Sequence, residues 1–234
     1  MSVVVVIALW EGAGRAGLSQ ALPPFTDVVA AFGEILTSDR FREAVVATFR
    51  AVLIGFPPSV VIGILIGTVM ALYRPARWTF DPWVNLGLSL PLVSMIPVII
   101  FVFGLGDASI LAVVIIYTLP ILIVNTVAGI ESVNRDLVDM GKSFNAAGPT
   151  MFRRIILPGA APLVLAGVRL AAGRAIKGAI IAEQIVGLIG LGGLIQRLGG
   201  AFAVDELYAM IIFVGIVGVV SVALLSHLEK GVAV

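Results

Sequence analysis

The chain has 234 residues, of which 60% are hydrophobic and only 12% are charged. Soluble domains carry about 25% charged residues, so this composition, with a mean hydropathy of +1.14, excludes an ordinary soluble domain and indicates a membrane protein. The net charge of +1 gives no sign of nucleic acid as a partner, and the absence of cysteine excludes disulfides and a thiol nucleophile.

Apolar runs recur along the chain, and a membrane helix needs about 20 such residues. Uncharged runs cover residues 51–73, 82–106, 108–130 and 207–226, and a longer, sparsely charged stretch covers residues 155–197. Helices are expected because lipid cannot satisfy free backbone groups and strand-like alternation is absent. We therefore predict an all-α, polytopic membrane protein with a single domain over residues 1–234 and about six transmembrane helices.

The N-terminal part contains no complete span. Residues 3–10 are apolar but too short to cross a bilayer. A signal-peptide core is one interpretation, although no basic region precedes it; we expect instead the outer half of a short first membrane helix. Residues 23–50 carry both signs of charge, which favours an interfacial amphipathic helix, a turn at residues 37–39 and entry into the second span.

The remaining elements alternate between helices and short connections. In order, we expect helix two at 51–73 with a kink at Pro57 and Pro58, a basic turn at 74–77, helix three at 82–106, a tight turn at 104–107, helix four at 108–130, a polar loop at 131–158, helix five at about 161–188, a flexible glycine-rich connection at 190–206 and helix six at 207–227.

The distribution of cations predicts the orientation of the chain. The turn at residues 74–77 and the polar loop together hold six Lys and Arg residues, whereas the turn at residues 104–107 holds none. Short cytoplasmic loops of membrane proteins carry an excess of Lys and Arg. We therefore predict that the polar loop and both termini lie in the cytoplasm.

The polar loop has the pattern of two short helices. Met140 and Phe144 are four residues apart and share one helical face. Asn145 can adopt the left-handed conformation that ends a helix, and Pro149 suits the first position of a second helix, whose apolar face holds Met151, Phe152 and Ile155. The pattern predicts a surface that offers Met and Phe side chains to a partner; the alternative is a solvated basic connector that only fixes topology.

The spacing within this loop resembles the EAA motif of the membrane subunits of ABC importers. That motif has E-A-A, then Gly at +6, Ile at +16 and Leu-Pro at +18 and +19. Counting from the first position, the residues at these positions are Asp139, Met140, Gly141, Asn145, Ile155, Leu157 and Pro158. The chain departs from the motif where Asp139 replaces Glu, Met140 replaces the first Ala and Asn145 replaces the central Gly, and Gly141 stands in the place of the second Ala.

Further segments resemble the nitrate, sulfonate and taurine branch of that superfamily. They lie at residues 9–11, 22–24, 50–56, 91–97, 103–106 and 158–169. The resemblance implies a type I importer permease in a bacterial cell membrane, working by alternating access on a small anion such as a sulfonate, nitrate or carboxylate. It also implies a homodimeric pore, two cytoplasmic ATPase subunits that hydrolyse the ATP, an extracytoplasmic solute-binding protein, and no cofactor bound by this chain.

The resemblance makes residues 131–158 a cytoplasmic coupling loop on which the ATPase docks. The candidate docking residues are Asp139, Met140, Gly141, Phe144, Asn145, Phe152, Ile155, Leu157 and Pro158. A self-sufficient secondary transporter or channel is the competing hypothesis. It predicts two similar halves, and no repeat of the polar loop is found in the sequence.

Charged residues inside helix five are a second group of candidates. Intramembrane charges are costly and face a bundle interior or a wet cavity. At 100° per residue, Lys177 lies about 120° from Glu183, and Arg174 lies about 180° from it, so no pair forms within the helix. Arg174 and Lys177 either pair with neighbouring helices, the role we expect, or line an anion path; for Glu183 we expect an architectural role beside the pore.

Two more features of the sequence bear on packing and chemistry. Gly167, Ala171, Ala175 and Ala179 form a ridge of small residues that predicts close packing against a neighbouring helix. Residues 141–143 read Gly-Lys-Ser but lack the earlier glycine and the preceding strand of a phosphate-binding loop. With no defined nucleophile and base and a single histidine, we predict neither an enzyme nor a metal site.

Overall fold

The structure, a computed structural model, describes residues 2–146, 148–187 and 189–232, with side chains up to residue 221 and at residue 223. All regular structure within these ranges is helical, which confirms the all-α class. The elements are α1 Ser2–Arg15, α2 Phe25–Thr37, α3 Asp39–Leu72, α4 Arg74–Ser89, α5 Leu92–Phe103, α6 Asp107–Glu131, α7 Arg135–Ser143, α8 Pro149–Met151, a π turn Phe152–Ile156, α9 Leu157–Val186, α10 Gly190–Gly200 and α11 Val204–Val232.

Several of these helices have the length and apolarity of a membrane span. Four qualify alone within the described residues: Asp39–Leu72, Asp107–Glu131, Pro149–Val186 and Val204–Ser221. The bent pair α4 and α5 brings the number to five. The remaining member of the six predicted is α1, whose 14 residues span about 21 Å, less than the roughly 30 Å of the hydrocarbon core.

The prediction of a single helix three over residues 82–106 is wrong, because two helices, α4 and α5, cover this segment. The chain breaks between α4 and α5 with a bend of 110°. Leu90 has the extended conformation (φ −67°, ψ 130°) that a residue preceding proline prefers, and Pro91 caps α5. The pair still crosses the bundle, because Arg77 of α4 forms an ion pair with Glu131 while α5 ends just before α6 begins.

Close contacts at glycine give the directions of the three central helices. A Cβ on Gly55 would lie 3.1 Å from Val114, and one on Gly67 would lie 2.6 Å from Thr126, so α3 and α6 run parallel. Gly129 faces Leu163 and Gly178 faces Tyr117, so α9 runs antiparallel to α6. The bundle thus has a loop end, at Leu72, Glu131 and Leu157, and a far end, at Asp39, Asp107 and Val186.

The ridge of small residues on α9 packs as predicted. Gly167, Ala171, Ala175 and Ala179 are all buried. Gly167 lies directly against Asn125 of α6, with no room for a Cβ. Without side chains to separate them, α6 and α9 approach closely, and this contact confirms the predicted role of the ridge.

The prediction of a flexible glycine-rich turn at residues 190–206 is wrong. Residues Gly190–Gly200 form the helix α10, whose Leu191 and Leu194 are 0% and 7% exposed. Glycine disfavours isolated helices by about 1 kcal/mol, but here burial between α3 and α9 overrides that preference. The predicted end of helix five at residue 188 lies outside the described residues, and α9 ends at Val186.

The N-terminal helices cover one side of α11. The predicted helix within residues 23–50 is present as α2, and the predicted turn is Ser38, whose side chain caps α3. Val28 and Ala31 of α2 are buried against Ala209. The indole of Trp10 donates to the carbonyl of Pro23 at 3.0 Å, which ties α1 to the beginning of α2.

Candidate functional site

The first helix of the polar loop forms where it was predicted. α7 covers Arg135–Ser143, and the side chain of Asn134 caps it by accepting from the Asp136 N–H at 2.9 Å. Asp136 in the first turn and Lys142 in the last complement the helix dipole. α7 is therefore a defined helix at the loop end of the bundle.

The turn after α7 is left-handed, as predicted for Asn145. Asn145 has φ 54°. Its N–H donates to the carbonyl of Lys142 at 2.9 Å, and the Ala146 N–H donates to the carbonyl of Gly141 at 2.9 Å. These bonds satisfy carbonyls that the end of the helix would otherwise leave free.

The second helix of the loop begins at Pro149 as predicted, but it does not end within the loop. α8, the π turn and α9 form one continuous helix, Pro149–Val186, of 38 residues, so the expected boundary between residues 158 and 161 is absent. The Leu157 N–H donates to the carbonyl of Phe152, a wider turn than the α-helical one. Such a turn accommodates the missing N–H of Pro158 without a break.

One face of α7 is packed against this long helix. Gly141 is buried, and a Cβ there would lie 2.5 Å from Ile155 Cδ1 and 3.0 Å from Met151 Cε. Of the candidate docking residues, Gly141 and Ile155 therefore brace the loop from inside. Met151, which is 8% exposed, was not among the candidates, although its spacing of four residues from Ile155 is a helical packing signal.

The opposite face of α7 exposes apolar side chains. Met140 is 51% exposed and Phe144 is 81% exposed. Beside them the Asp139 carboxylate accepts from Lys142 Nζ at 2.8 Å, and this hydrogen bond and the positive charge lower the pKa of Asp139. Phe152 is half-buried, and Leu157 and Pro158 are exposed at the base of the loop.

Glu183 has polar partners on two other helices, and within the part of the chain that the structure describes it forms no ion pair. The residue is 1% exposed. Its Oε2 accepts from Thr48 Oγ1 at 2.8 Å and from the Gly192 N–H at 3.0 Å. Thr48 was not a candidate, although it shares a helical stripe with the buried residues Ala44 and Val52. Within the described residues, no group of three His, Cys, Asp or Glu side chains could hold a metal ion.

The two candidate cations of this helix, Arg174 and Lys177, lie apart from Glu183 and form no ion pair with it. The guanidinium of Arg174 lies over the ring of Tyr117, 5.4 Å from its centre, a cation–π arrangement. Lys177 is exposed and lines a cavity of about 800 Å³ between α9 and α11, with Gly173, Val214 and Gly218. Neither cation forms an ion pair with any residue that the structure describes.

A bundle of long apolar helices with a braced polar loop at one end has the architecture of a polytopic membrane protein. The chain matches the family model "Binding-protein-dependent transport system inner membrane component" over residues 59–234. It therefore belongs to that family and is the membrane permease component of an ABC importer, not an enzyme. This membership excludes the competing hypothesis of a self-sufficient transporter.

Curated relatives and solved structures agree with the family. The chain is 30% identical over 218 residues to the putative aliphatic sulfonates transport permease SsuC of Escherichia coli, covering 92% of this chain and 82% of the relative. It is 29% identical over 233 residues to the riboflavin transport system permease RibX of Chloroflexus aurantiacus, covering 98% and 87%. An inward-facing structure of the MetNI methionine ABC transporter superposes with a TM-score of 0.71 at 16% identity, over 84% of this chain and 99% of that one.

Proposed function

We propose that this chain carries a small organic anion of the sulfonate type across the bacterial cell membrane as one of two identical permease subunits. An extracytoplasmic binding protein delivers the anion, and two cytoplasmic ATPase subunits dock on α7 and supply the energy. The observation that carries this proposal is the pair of exposed apolar side chains, Met140 and Phe144, on a helix braced from behind.

The docking role follows from the two faces of α7. An exposed phenylalanine leaves apolar area in water, at about 25 cal/mol for each Å² that a partner could bury. Gly141 fixes the other face against Met151 and Ile155, so the exposed face is presented without a large loss of conformational freedom on binding. Aromatic and methionine side chains are enriched at protein interfaces, and α7 thus suits an apolar cleft on the ATPase.

The distribution of cations supports a cytoplasmic position for that surface. The beginning of α4, at residues 74–77, and the polar loop at residues 131–158 hold the six cations that predict the cytoplasmic side. Both lie at the loop end of the bundle, as the directions of α3, α6 and α9 require. The far end then faces the binding protein.

Lys177 is a cation placed where it could contact the proposed anionic solute. Lys177 projects at an apolar cavity of about 800 Å³, a volume within the range of small-molecule sites. Among the described residues it has no carboxylate partner, so its charge is available to an anion on the path. The sulfonate class comes from the relatives named for aliphatic sulfonates in Escherichia coli and Bacillus subtilis.

Docking is tested by co-purification of the tagged permease with the ATPase encoded beside it. We expect Phe144→Ala and Met140→Glu each to reduce recovery of the ATPase at least about tenfold, as truncation of an interface hot spot does, while membrane insertion is unchanged. Phe101→Ala is the matched control, because Phe101 is 91% exposed but lies on α5, toward the far end. Normal ATPase recovery with both loop variants would refute the docking assignment.

A further inference from the structure

We propose that Glu183 and Thr48 are positioning residues for transport: together they clamp the N-terminus of α10, and α10 is a movable plug at the far end of the translocation path. This inference rests on the chain being a permease and does not depend on the identity of the solute.

The clamp is a closed set of hydrogen bonds among three helices. Thr48 Oγ1 on α3 donates to Glu183 Oε2 on α9 at 2.8 Å. The same hydroxyl oxygen accepts from the Leu191 N–H at 2.9 Å, and Glu183 Oε2 accepts from the Gly192 N–H at 3.0 Å. Both side chains are 1% exposed, so these bonds are shielded from water.

The clamp replaces a cap that α10 lacks. The first N–H groups of a helix have no partner within the helix, and a Ser, Thr, Asp or Asn before it commonly provides one. Here the preceding residue is Ile189, which makes no side-chain cap. The N–H groups of Leu191 and Gly192 therefore have these protein partners only while α10 lies against both α3 and α9.

Glycines bring α10 close enough for this contact. Gly190 and Gly192 lie directly against Glu183, and neither has room for a Cβ. Gly190 also has φ 75°, which other residues rarely adopt. The glycine-rich sequence thus permits a docked position in which the carboxyl group is covered by backbone.

The same helix forms a wall of a second cavity at the far end. This cavity has a volume of about 750 Å³, and its lining includes Gly190, Leu194 and Arg197 of α10 together with Arg40 and Glu43 of α3. Charged residues on the wall indicate that water enters the cavity. One side of Gly190 faces the cavity, and its other side lies against Glu183. Only the backbone of Gly190 therefore separates the clamp from the cavity.

The joints at both ends of α10 allow it to move as a unit. Gly187, in the left-handed conformation with φ 72°, follows α9, and the helix ends at Gly199 and Gly200. Hinge movements in proteins are absorbed by a few residues at the ends of helices and strands or in loops. Hydrogen bonds to Thr48 and Glu183 can be exchanged for bonds to water when the far end opens, which gives α10 a docked and a released position.

The test uses cysteine accessibility, since the native chain contains no cysteine. Leu194→Cys places a thiol at a position that is 7% exposed, and Gln196→Cys places one on the exposed side of the same helix. Each is introduced into the permease, reconstituted with its ATPase in liposomes, and treated with a maleimide that does not cross membranes. We expect slow labelling at position 194, fast labelling at position 196, and faster labelling at position 194 during ATP turnover.

Removal of the clamp should release α10 without ATP. Thr48→Val keeps the shape but not the hydroxyl, and we expect it to speed labelling at position 194 about tenfold and to raise basal ATP hydrolysis, whereas Thr48→Ser restores both. Glu183→Gln keeps an acceptor oxygen and should label within about twofold of the parent, whereas Glu183→Leu should behave as Thr48→Val does.

Three results would overturn the proposal. They are labelling at position 194 that does not change with ATP, equal labelling in the Thr48→Val and Thr48→Ser proteins, or equal labelling in the Glu183→Gln and Glu183→Leu proteins. The two pairs are independent, so the test stands if one substitution prevents insertion. A failure of ATPase docking would appear separately, as loss of the ATPase from the unmutated complex.

Discussion

Asn145 holds a backbone conformation that few residues other than glycine tolerate. Its φ is 54°, and the left-handed region costs most L-residues roughly 1–2 kcal/mol, more for β-branched ones. We therefore expect Asn145→Gly to retain transport and Asn145→Val to lose most of it, because Val would displace Phe144 from its position on α7. Uptake of a radiolabelled sulfonate and recovery of the ATPase measure the effect, and equal activity of the two variants would contradict it.

Residues whose role depends on nearby sequence could be predicted, and residues that act through distant contacts could not. Met140, Phe144 and Asn145 follow from helical spacing and turn chemistry within a few positions. Thr48 looks like one more hydroxyl on an apolar helix, and its contact with Glu183 joins residues 135 positions apart. Only the packing of α3 on α9 shows that the two side chains meet.

At the scale of the helix, hydrophobic runs locate the spans but do not give their shape. Residues 82–106 form one uncharged apolar run, yet the chain bends by 110° at the Leu90–Pro91 step. α3 contains Pro57 and Pro58 and nevertheless continues to Leu72. Whether a proline ends a helix depends on which neighbours satisfy the freed carbonyls, and these neighbours are not adjacent in sequence.

In α10, local sequence predicts a break where the structure has a helix. Its glycines, among them Gly190, Gly192 and Gly193, predict a turn by local propensity. The structure uses Gly190 and Gly192 for close approach to α9, because a Cβ at either position would collide with that helix. Composition alone cannot distinguish a glycine that provides flexibility from one that provides space.

The contact of α3 with α6 gives a test of glycine used for space. A Cβ on Gly67 would lie 2.6 Å from Thr126 Cβ and 2.9 Å from the carbonyl oxygen of Ile123, atoms that cannot move aside easily. We expect Gly67→Ala to destabilise the permease by about 1–3 kcal/mol, as overpacking does. A lower melting temperature in detergent measures this loss.

Gly33 is the matched control for that substitution. It lies within the helix α2, and nothing stands within 4 Å of the position of its Cβ. Alanine there gains about 1 kcal/mol of helix propensity without a clash, so Gly33→Ala should melt at or above the temperature of the parent. If Gly67→Ala and Gly33→Ala have the same melting temperature, the helices α3 and α6 are not packed as closely as described.

At the scale of the whole molecule, polar chemistry is concentrated at the two ends of an apolar bundle. The loop end carries the exposed face of α7, and the far end carries the clamp on α10 and its charged cavity. The long helix Pro149–Val186 joins the two, because it begins beside α7 and ends beside α10. The proposed docking of an ATPase on α7 would therefore act on the same continuous helix that carries Glu183 at its other end.

Lys177 lies on that helix between the two ends. Its surroundings allow an experiment that distinguishes a role in transport from a role in stability. Among the described residues it has no ion-pair partner, and it faces the cavity between α9 and α11. Lys177→Gln therefore strands no buried carboxylate, which is the usual cause of a large loss of stability. We expect normal yield, normal docking and normal basal ATP hydrolysis, with uptake of radiolabelled ethanesulfonate reduced at least about tenfold.

A double-substitution cycle decides whether Lys177 and Glu183 act together. Because Glu183 is bonded to Thr48 and Gly192, we expect the effects of Lys177→Gln and Glu183→Gln on melting temperature to add, as they do for sites without shared partners. Thr48→Val and Glu183→Leu share one set of hydrogen bonds, so their combination should cost clearly less than the sum of the two. If Glu183→Gln instead rescued the yield of an unstable Lys177→Gln protein, the two charges would be paired across the bundle, and the anion path would have to be sought elsewhere.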